Sequence, residues 1–337
     1  MQERFYSLNT FFKKQFGCRV HKIPLDAGLS CPTRNGTKGK GGCIYCNPYG
    51  SGTRAYAKGL SISEQIKQWQ IFLRKRFRAK KFMAYFQSYC NTYAPISKLK
   101  ALYDEAVSQK DIVGLCIGTR PDCINEEILR LIESYTDRFQ VWIEYELQSI
   151  HNRTLNFIRR GHTYEDFLKA VEITTGRNIF ICVHIILGLP GEGKKEMMAT
   201  VNALSGLPIN GIKFHHLYIV KGTPLEKLYL LGKYKPLNQE EFIEILISCL
   251  ERLRKDIVVQ RLMGDPRPQE LIAPLWSLKK RETLNLIHKT LEQRDTWQGK
   301  IARPKSVITL KENPQTCLPP PTVGQGTGRC SKIKQIF

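Results

Sequence analysis

The chain has no apolar run approaching the roughly 18–20 residues that cross a bilayer, so no membrane span is expected. Its first residues, Met1-Gln-Glu-Arg-Phe5, lack the basic-then-apolar order of a secretion signal, and a cytoplasmic location follows as the expectation. Acidic residues are scarce: 30 Asp and Glu face 52 Lys and Arg, a net charge of +22. Such an excess attracts polyanions and makes nucleic acid the expected partner class, against the blander reading of a solubilising surface. There is no internal repeat. Eleven cysteines, an odd number, in a chain without an export signal do not suit a disulfide framework.

What is present alternates. Short runs rich in β-branched and aromatic residues predict strands at Arg19–Leu25, Phe82–Gln87, Ile112–Ile117, Phe139–Leu147, Ile179–Leu187 and Gly211–Val220. Between them lie helical patterns at Ile62–Phe77, Ile96–Val107, Glu126–Ile132, Tyr164–Thr174 and Lys195–Leu204; the first repeats apolar residues at Ile62, Ile66, Trp69 and Leu73. Strand–helix units in series imply a parallel sheet with helical crossovers, either an open α/β sheet or a partial barrel. Beyond Val220, helices at Glu240–Leu253 and Lys279–Arg294 flank a short strand at Asp256–Gln260, which reads as a small α/β cap. The expected organisation is a core over 1–225, a cap over 226–299 and a disordered basic tail over 300–337, where Pro319-Pro-Pro321 and Gly324-Gln-Gly-Thr-Gly328 break all periodicity.

Three cysteines carry the strongest chemical signal. Cys31, Cys43 and Cys46 have the spacing C-x11-C-x2-C around a polar, glycine-rich segment that follows the first predicted strand. Loops at the carboxyl ends of parallel strands are where α/β folds place their chemistry. Three thiolates suit three irons of a cubane, and glycine N–H groups suit its sulfides. Spacing alone leaves structural zinc open, with Cys18 or His21 as a fourth ligand. Cys116 and Cys182 sit in apolar runs and read as small core residues.

The segment Cys31-Pro-Thr-Arg-Asn-Gly-Thr-Lys-Gly-Lys-Gly-Gly-Cys43-Ile-Tyr-Cys46-Asn47 resembles the cluster loop of a widespread bacterial family of radical S-adenosylmethionine (SAM) proteins. That family is similar to the radical SAM domain of the Elongator catalytic subunit. The likeness continues through Ala84–Ala94, Gly114–Cys123, Gln148-Ser149, Arg160-Gly-His162 and His184–Glu192. It goes on through Lys213, His215, Val220–Pro224 and Ala273-Pro-Leu-Trp276, and covers roughly residues 1–300. The resemblance implies a partial (β/α)6 barrel of the TIM type. It also implies a [4Fe-4S] cluster on Cys31, Cys43 and Cys46, with SAM on the open iron and reductive cleavage of SAM to a 5′-deoxyadenosyl radical.

By the same resemblance, Asn91 and Thr92 meet the SAM amino group, Thr119 and Asp122 face the ribose, and Gln148 bonds to it. Arg160 meets the SAM carboxylate, as an arginine fork can, and His184 faces SAM. Taken alone, Asn91-Thr92 is an ordinary turn, Asp122 a helix cap, Arg160 a solvated cation and His184 a core histidine. Glu146 stands where the family usually has Gly, so its carboxylate either faces away or alters the pocket; Glu144 is the better inward candidate. Glu144 and Cys90 are the catalytic candidates, Cys90 competing with the reading of a small filler. Gly188-Leu-Pro-Gly-Glu-Gly-Lys194 imitates a phosphate loop, but Lys195 replaces the Ser/Thr that holds magnesium, so nucleotide hydrolysis is rejected.

For the substrate, basic-aromatic groups stand at Trp69–Lys81 and at Lys213, His215, His216 and Tyr218, where cations suit phosphates and rings suit splayed bases. The resemblance implies tRNA, with conversion of carboxymethylaminomethyl to aminomethyl at C5 of the wobble uridine, and an electron donor such as flavodoxin or ferredoxin. The alternatives are a radical SAM enzyme acting on a protein or small metabolite, and a zinc-bearing RNA-binding module without catalysis.

Overall fold

The apolar runs become strands because each offers β-branched or aromatic side chains to both faces of a sheet, and the 3–4 spacings between them become helices. In the computed structural model, which describes residues 3–47 and 55–302, the order is α1 (Leu8–Phe16), β1 (Val20–Leu25), α2 (Ile62–Phe77), β2 (Lys81–Phe86), α3 (Ile96–Val107), β3 (Ile112–Thr119), α4 (Glu126–Glu133) and β4 (Gln140–Gln148). Then follow α5 (Asn152–Phe157), α6 (Tyr164–Thr174), β5 (Phe180–Leu187), α7 (Lys194–Gly206), β6 (Gly211–His216), β7 (Ile219–Val220), α8 (Pro224–Leu230), α9 (Gln239–Arg252), β8 (Val258–Arg261), β9 (Leu271–Ala273) and α10 (Lys280–Gln293). Helix α2 starts where Ser61 accepts from the Glu64 N–H and Glu64 reaches back to the Ser61 N–H at 2.8 Å, a capping box. Ile62, Ile66 and Leu73 form its buried stripe.

The main sheet runs β1-β2-β3-β4-β5-β6-β8, every neighbour parallel. It curls into a partial barrel: across the gap between its two edge strands, Lys22 on β1 donates to Gln260 on β8 at 2.5 Å. Two expectations change in detail. The short strand expected inside the cap pairs with β6 and becomes the seventh barrel strand. The run expected as one strand over Gly211–Val220 splits: the Leu217 N–H bonds the Leu187 carbonyl, and β7 then pairs antiparallel with β9. Helices α1, α5 and α8 and strand β9 lacked a clear sequence pattern. The expected disordered tail lies almost wholly outside the described residues.

The lower barrel interior is dry. Val20, Met83, Trp142 and Val258 fill it, and Phe12 of α1 packs in from below. Trp142 is fully buried, with Phe11 edge-on at 5.4 Å. Its fit depends on glycine, since a Cβ on Gly211 would stand 2.9 Å from the Trp142 ring. At the other end of the strands, loops gather as α/β barrels require for a site.

Candidate active site at the barrel mouth

The cysteine loop runs over the carboxyl ends of the strands and is tied down by its own backbone. Arg34 N–H bonds the Cys31 carbonyl, Gly42 N–H the Thr33 carbonyl, and Cys46 N–H the Cys43 carbonyl. Its far half docks on α5 and α8, with Ile44 N–H on the Ile158 carbonyl and Leu225 N–H on the Ile44 carbonyl. Ile44 is buried among Leu155, Ile158, Leu217 and Leu225. Cys31 and Cys43 are buried and Cys46 partly so.

Cations and hydroxyls serve the three sulfurs. Arg34 donates to Cys46 Sγ at 2.9 Å, Arg160 approaches Cys43 Sγ at 3.5 Å, and Cys31 Sγ lies 3.1 Å from Thr33 Oγ1. Burial pushes the Cys46 thiol up, and Arg34 opposes it. Guanidinium donors at two thiols suit a site whose ligands bind as thiolates. Among the described residues, the set of three potential metal ligands gathered within 4.8 Å is Glu144, Cys182 and His184, not the cysteine loop. A single tetrahedral zinc draws its sulfurs to about 3.8 Å, whereas the corners of an iron–sulfur cube stand farther apart. The donor set therefore fits a cluster.

The residues assigned by resemblance fall into two groups. Asn91, Gln148, Arg160 and His184 reach this end of the barrel with polar atoms turned to it or left open. Asn91 donates to the Gly118 carbonyl at 2.8 Å, while its buried Oδ1 has no partner and leaves an acceptor for an ammonium. Gln148 ends β4 at φ +79°, and its side chain makes no hydrogen bond among the described residues. Arg160 is held by the Glu146 carbonyl at 2.7 Å and carboxylate at 2.9 Å, so Glu146 faces the site and steers the guanidinium toward Cys43.

Thr92, Thr119, Asp122 and Cys90 instead tie the loops together. Thr92 Oγ1 meets Thr119 Oγ1 and the Cys123 carbonyl, each at 2.6 Å. Asp122 takes both guanidinium arms of Arg120 at 2.9 Å and the Lys38 ammonium at 2.5 Å. Cys90 is fully buried against Thr119 at 3.2 Å. Burial raises that thiol, but bonds from Cys123 and Thr119 outweigh it and bring it to about 7. Thr92 and Asp122 also border a cleft of about 510 Å³ with Tyr93, Cys123 and Asn125.

Beneath the loop lies a charged layer. Glu144, fully buried on β4, accepts from Lys22 at 2.5 Å, from His184 at 2.9 Å and from Lys213. Lys213 also donates to the Tyr85 hydroxyl at 2.9 Å. Burial pushes the Glu144 carboxyl up, but Lys213 and Lys22 overrule it and hold it well below the usual range. Burial lowers Lys213 to about 8, with Glu144 opposing and Lys22 assisting. With two lysines on its carboxylate, Glu144 is no ligand for a cation, so the grouping with Cys182 and His184 is not a metal site. His215 faces His184 at 5.8 Å. His216 points the other way, into the core, with Ser277 Oγ at 2.7 Å and the Trp276 ring at 4.4 Å.

Arg34, Arg120, Lys22, Tyr85, Gln260 and Arg261 escaped the sequence reading. Lys22 left a signal, a lysine amid the apolar positions of a strand; the others left none. The false phosphate loop is explained as well: the Gly193 N–H that opens α7 is taken by the Glu196 carboxylate at 2.9 Å, and Glu192 turns to Ser149.

A model described as the Radical SAM superfamily matches residues 36–204, and one described as the Radical_SAM C-terminal domain matches 209–293. The YtqA protein of Bacillus subtilis (strain 168) is 35% identical over 300 residues, which cover 89% of this chain and 93% of that protein. The chain belongs to the radical SAM superfamily. It is a radical SAM enzyme with the superfamily's two cofactors, a [4Fe-4S] cluster and SAM, and the zinc reading gives way. The tRNA uridine(34) acetyltransferase of Methanocaldococcus jannaschii is 30% identical over 185 residues, which span 54% of this chain and 33% of that protein. Among solved structures, Methanocaldococcus infernus Elp3 lacking its N-terminus superposes with a TM-score of 0.62 at 19% identity. That match covers 73% of this chain and 62% of the other, and it speaks to the fold of this radical SAM protein. No helix among the described residues is long and apolar enough to cross a membrane.

Proposed function

We propose that this radical SAM enzyme holds its cluster on Cys31, Cys43 and Cys46 and acts on tRNA, at the C5 side chain of the wobble uridine. The observation that carries the site is the pairing of a three-thiol loop with guanidinium donors at Cys43 and Cys46, set over a polar barrel interior. When bound, the cluster and SAM supply a reductively generated radical that abstracts hydrogen. The protein's part is to place and enclose. Arg34 and Arg160 stabilise thiolates, Asn91 Oδ1 and the Gln148 amide offer polar contacts for SAM, and the apolar packing around Ile44 excludes water.

For the substrate, support comes from the net charge of +22 and from the similarity to a tRNA uridine(34) acetyltransferase. Helix α2 adds to it: Ile71, Phe72 and Phe77 are exposed beside Arg74, Lys75 and Arg76, a surface suited to phosphates and unstacked bases. The conversion that fits is carboxymethylaminomethyl to aminomethyl: with SAM as the oxidant, loss of a hydrogen atom and one further electron from the glycine-like methylene, then addition of water, would release the two carbons as glyoxylate. Flavodoxin or ferredoxin is the expected class of electron donor, and the cytoplasm the expected location.

The test has two arms. Protein purified without oxygen should hold about four irons with matching sulfide, and alanine at any of the three cysteines should abolish this; a colourless protein with one zinc would sink the cluster assignment. Reduced enzyme with SAM, given tRNA from cells lacking the gene, should lower the carboxymethylaminomethyl nucleoside and raise the aminomethyl one. An unchanged nucleoside profile rejects the tRNA reading.

A further inference from the structure

The pairing of β6 with β8 skips one residue. Gly211 faces Val258 and Ile212 faces Val259, but Lys213 faces Arg261, which leaves Gln260 as the extra residue of a bulge. Bulges re-aim side chains and concentrate beside active sites. Here two consecutive residues reach the barrel interior instead of one: Gln260 meets Lys22, and Arg261 stands opposite Lys213. The charge of Arg261 is felt by Tyr85, Lys213, His215 and Tyr218.

Arg261 is half-buried, and no hydrogen bond or ion pair engages its guanidinium among the described residues. The carboxylates nearby are spoken for. Glu144 serves Lys22, Lys213 and His184, and Glu146 serves Arg160. Lys22 and Lys213 already share Glu144, which leaves Arg261 without a carboxylate of its own among the described residues, while burial keeps His184 and His215 on the neutral side. A guanidinium withdrawn from water without a partner is costly unless an anion arrives to meet it, and its planar fork matches a carboxylate in two-point contact.

We propose that Arg261, with Lys213 and His215 beside it, is the subsite for a carboxylate carried by the substrate. The position lies on the inner wall of the barrel, on the strand beside the one that carries Lys213. This deepens the tRNA reading and rests on it for the identity of the molecule that bears the carboxylate, but not for the carboxylate itself.

Two measurements test it. The first compares binding of an anticodon stem-loop RNA bearing carboxymethylaminomethyluridine with the same RNA bearing the carboxamide. Wild-type protein should prefer the carboxylate about tenfold, Arg261→Gln should bring the ratio near one, and Arg261→Lys should keep part of it. An undiminished ratio in Arg261→Gln overturns the proposal. The second needs no RNA. Phenylglyoxal modification of Arg261, followed by peptide mass spectrometry, should be slowed by N-methylglycine and not by its amide. If neither RNA binds, the tRNA reading has failed, and this second measurement decides the subsite alone. Protection by inorganic phosphate but not by N-methylglycine, or by neither, overturns it.

Discussion

Two layers of the barrel interior lie one side-chain step apart and are built in opposite ways. In the lower one, Val20, Met83, Trp142 and Val258 pack with no charge between them. Two residues further along the same strands stand Lys22, Tyr85, Glu144 and Gln260, joined by Lys213. The lower layer is what a barrel needs to stay folded: area removed from water, and ring edges on ring faces. The upper layer is a poor way to gain stability, because desolvating several charges consumes most of what their attraction returns. A charged layer kept directly beneath the cysteine loop is therefore best understood as a working surface, and the dry layer as its foundation.

The largest expected effect tests this division at Glu144. Glu144→Gln leaves Lys22 and Lys213 facing each other without a counter-charge, and a cost of about 3–5 kcal/mol is expected in denaturant unfolding. Extending the dry layer upward should reverse that cost. The triple variant Lys22→Met, Glu144→Met, Lys213→Met should unfold at or near the wild-type midpoint and yet show no turnover of substrate. A triple variant as unstable as Glu144→Gln would mean that the charges are structural after all and would dissolve the distinction between the layers.

The dry layer is breached by adding volume. A Cβ on Gly114 would lie 2.3 Å from the Gln140 carbonyl oxygen, which is backbone and cannot swing aside. Gly114→Ala should cost about 1–3 kcal/mol, the range for overpacked cores. The iron content of the folded fraction should be unchanged, because the loop above does not rest on Gly114. Loss of iron in step with stability would show that the two layers are mechanically one.

The same contrast explains what could be read from the sequence. The cysteine loop was legible because its three ligands lie within sixteen residues, on a segment whose glycines announce a loop. The alternating strands and helices were legible because periodicity is local. The charged layer was legible only in part: Glu144 and Lys213 stood out, but Lys22, Tyr85 and Gln260 did not, because the five come from five strands, one from each, and nothing within any one strand says that they converge. Arg261 was harder still, since strict alternation from Gln260 turns it outward and only the bulge turns it in. His216 misled for the reverse reason. It stands next to His215 in the chain, but the period of two along β6 puts it on the core face with Trp276 and Phe242.

That last pair gives the smallest effect. Burial alone lowers His216 to about 3, from an ordinary value of 6.5. Its Nδ1 accepts from the Gly264 N–H at 3.3 Å, so Nε2 carries the proton and donates to Ser277. The unfolded chain therefore binds a proton before the folded one does. The neutral ring's contribution is fully present above pH 6.5 and drains away as pH falls from 6.5 toward 3. His216→Phe keeps the ring contact with Trp276 but cannot titrate. It should be less stable than wild type at pH 7.5 through the lost bonds, and should then lose about 1 kcal/mol less than wild type on going to pH 5.5. Urea midpoints at the two pH values measure the difference. Equal losses would mean that His216 is protonated in the folded protein at pH 5.5, and hence that the core face of β6 admits a charge as readily as the face turned to the site.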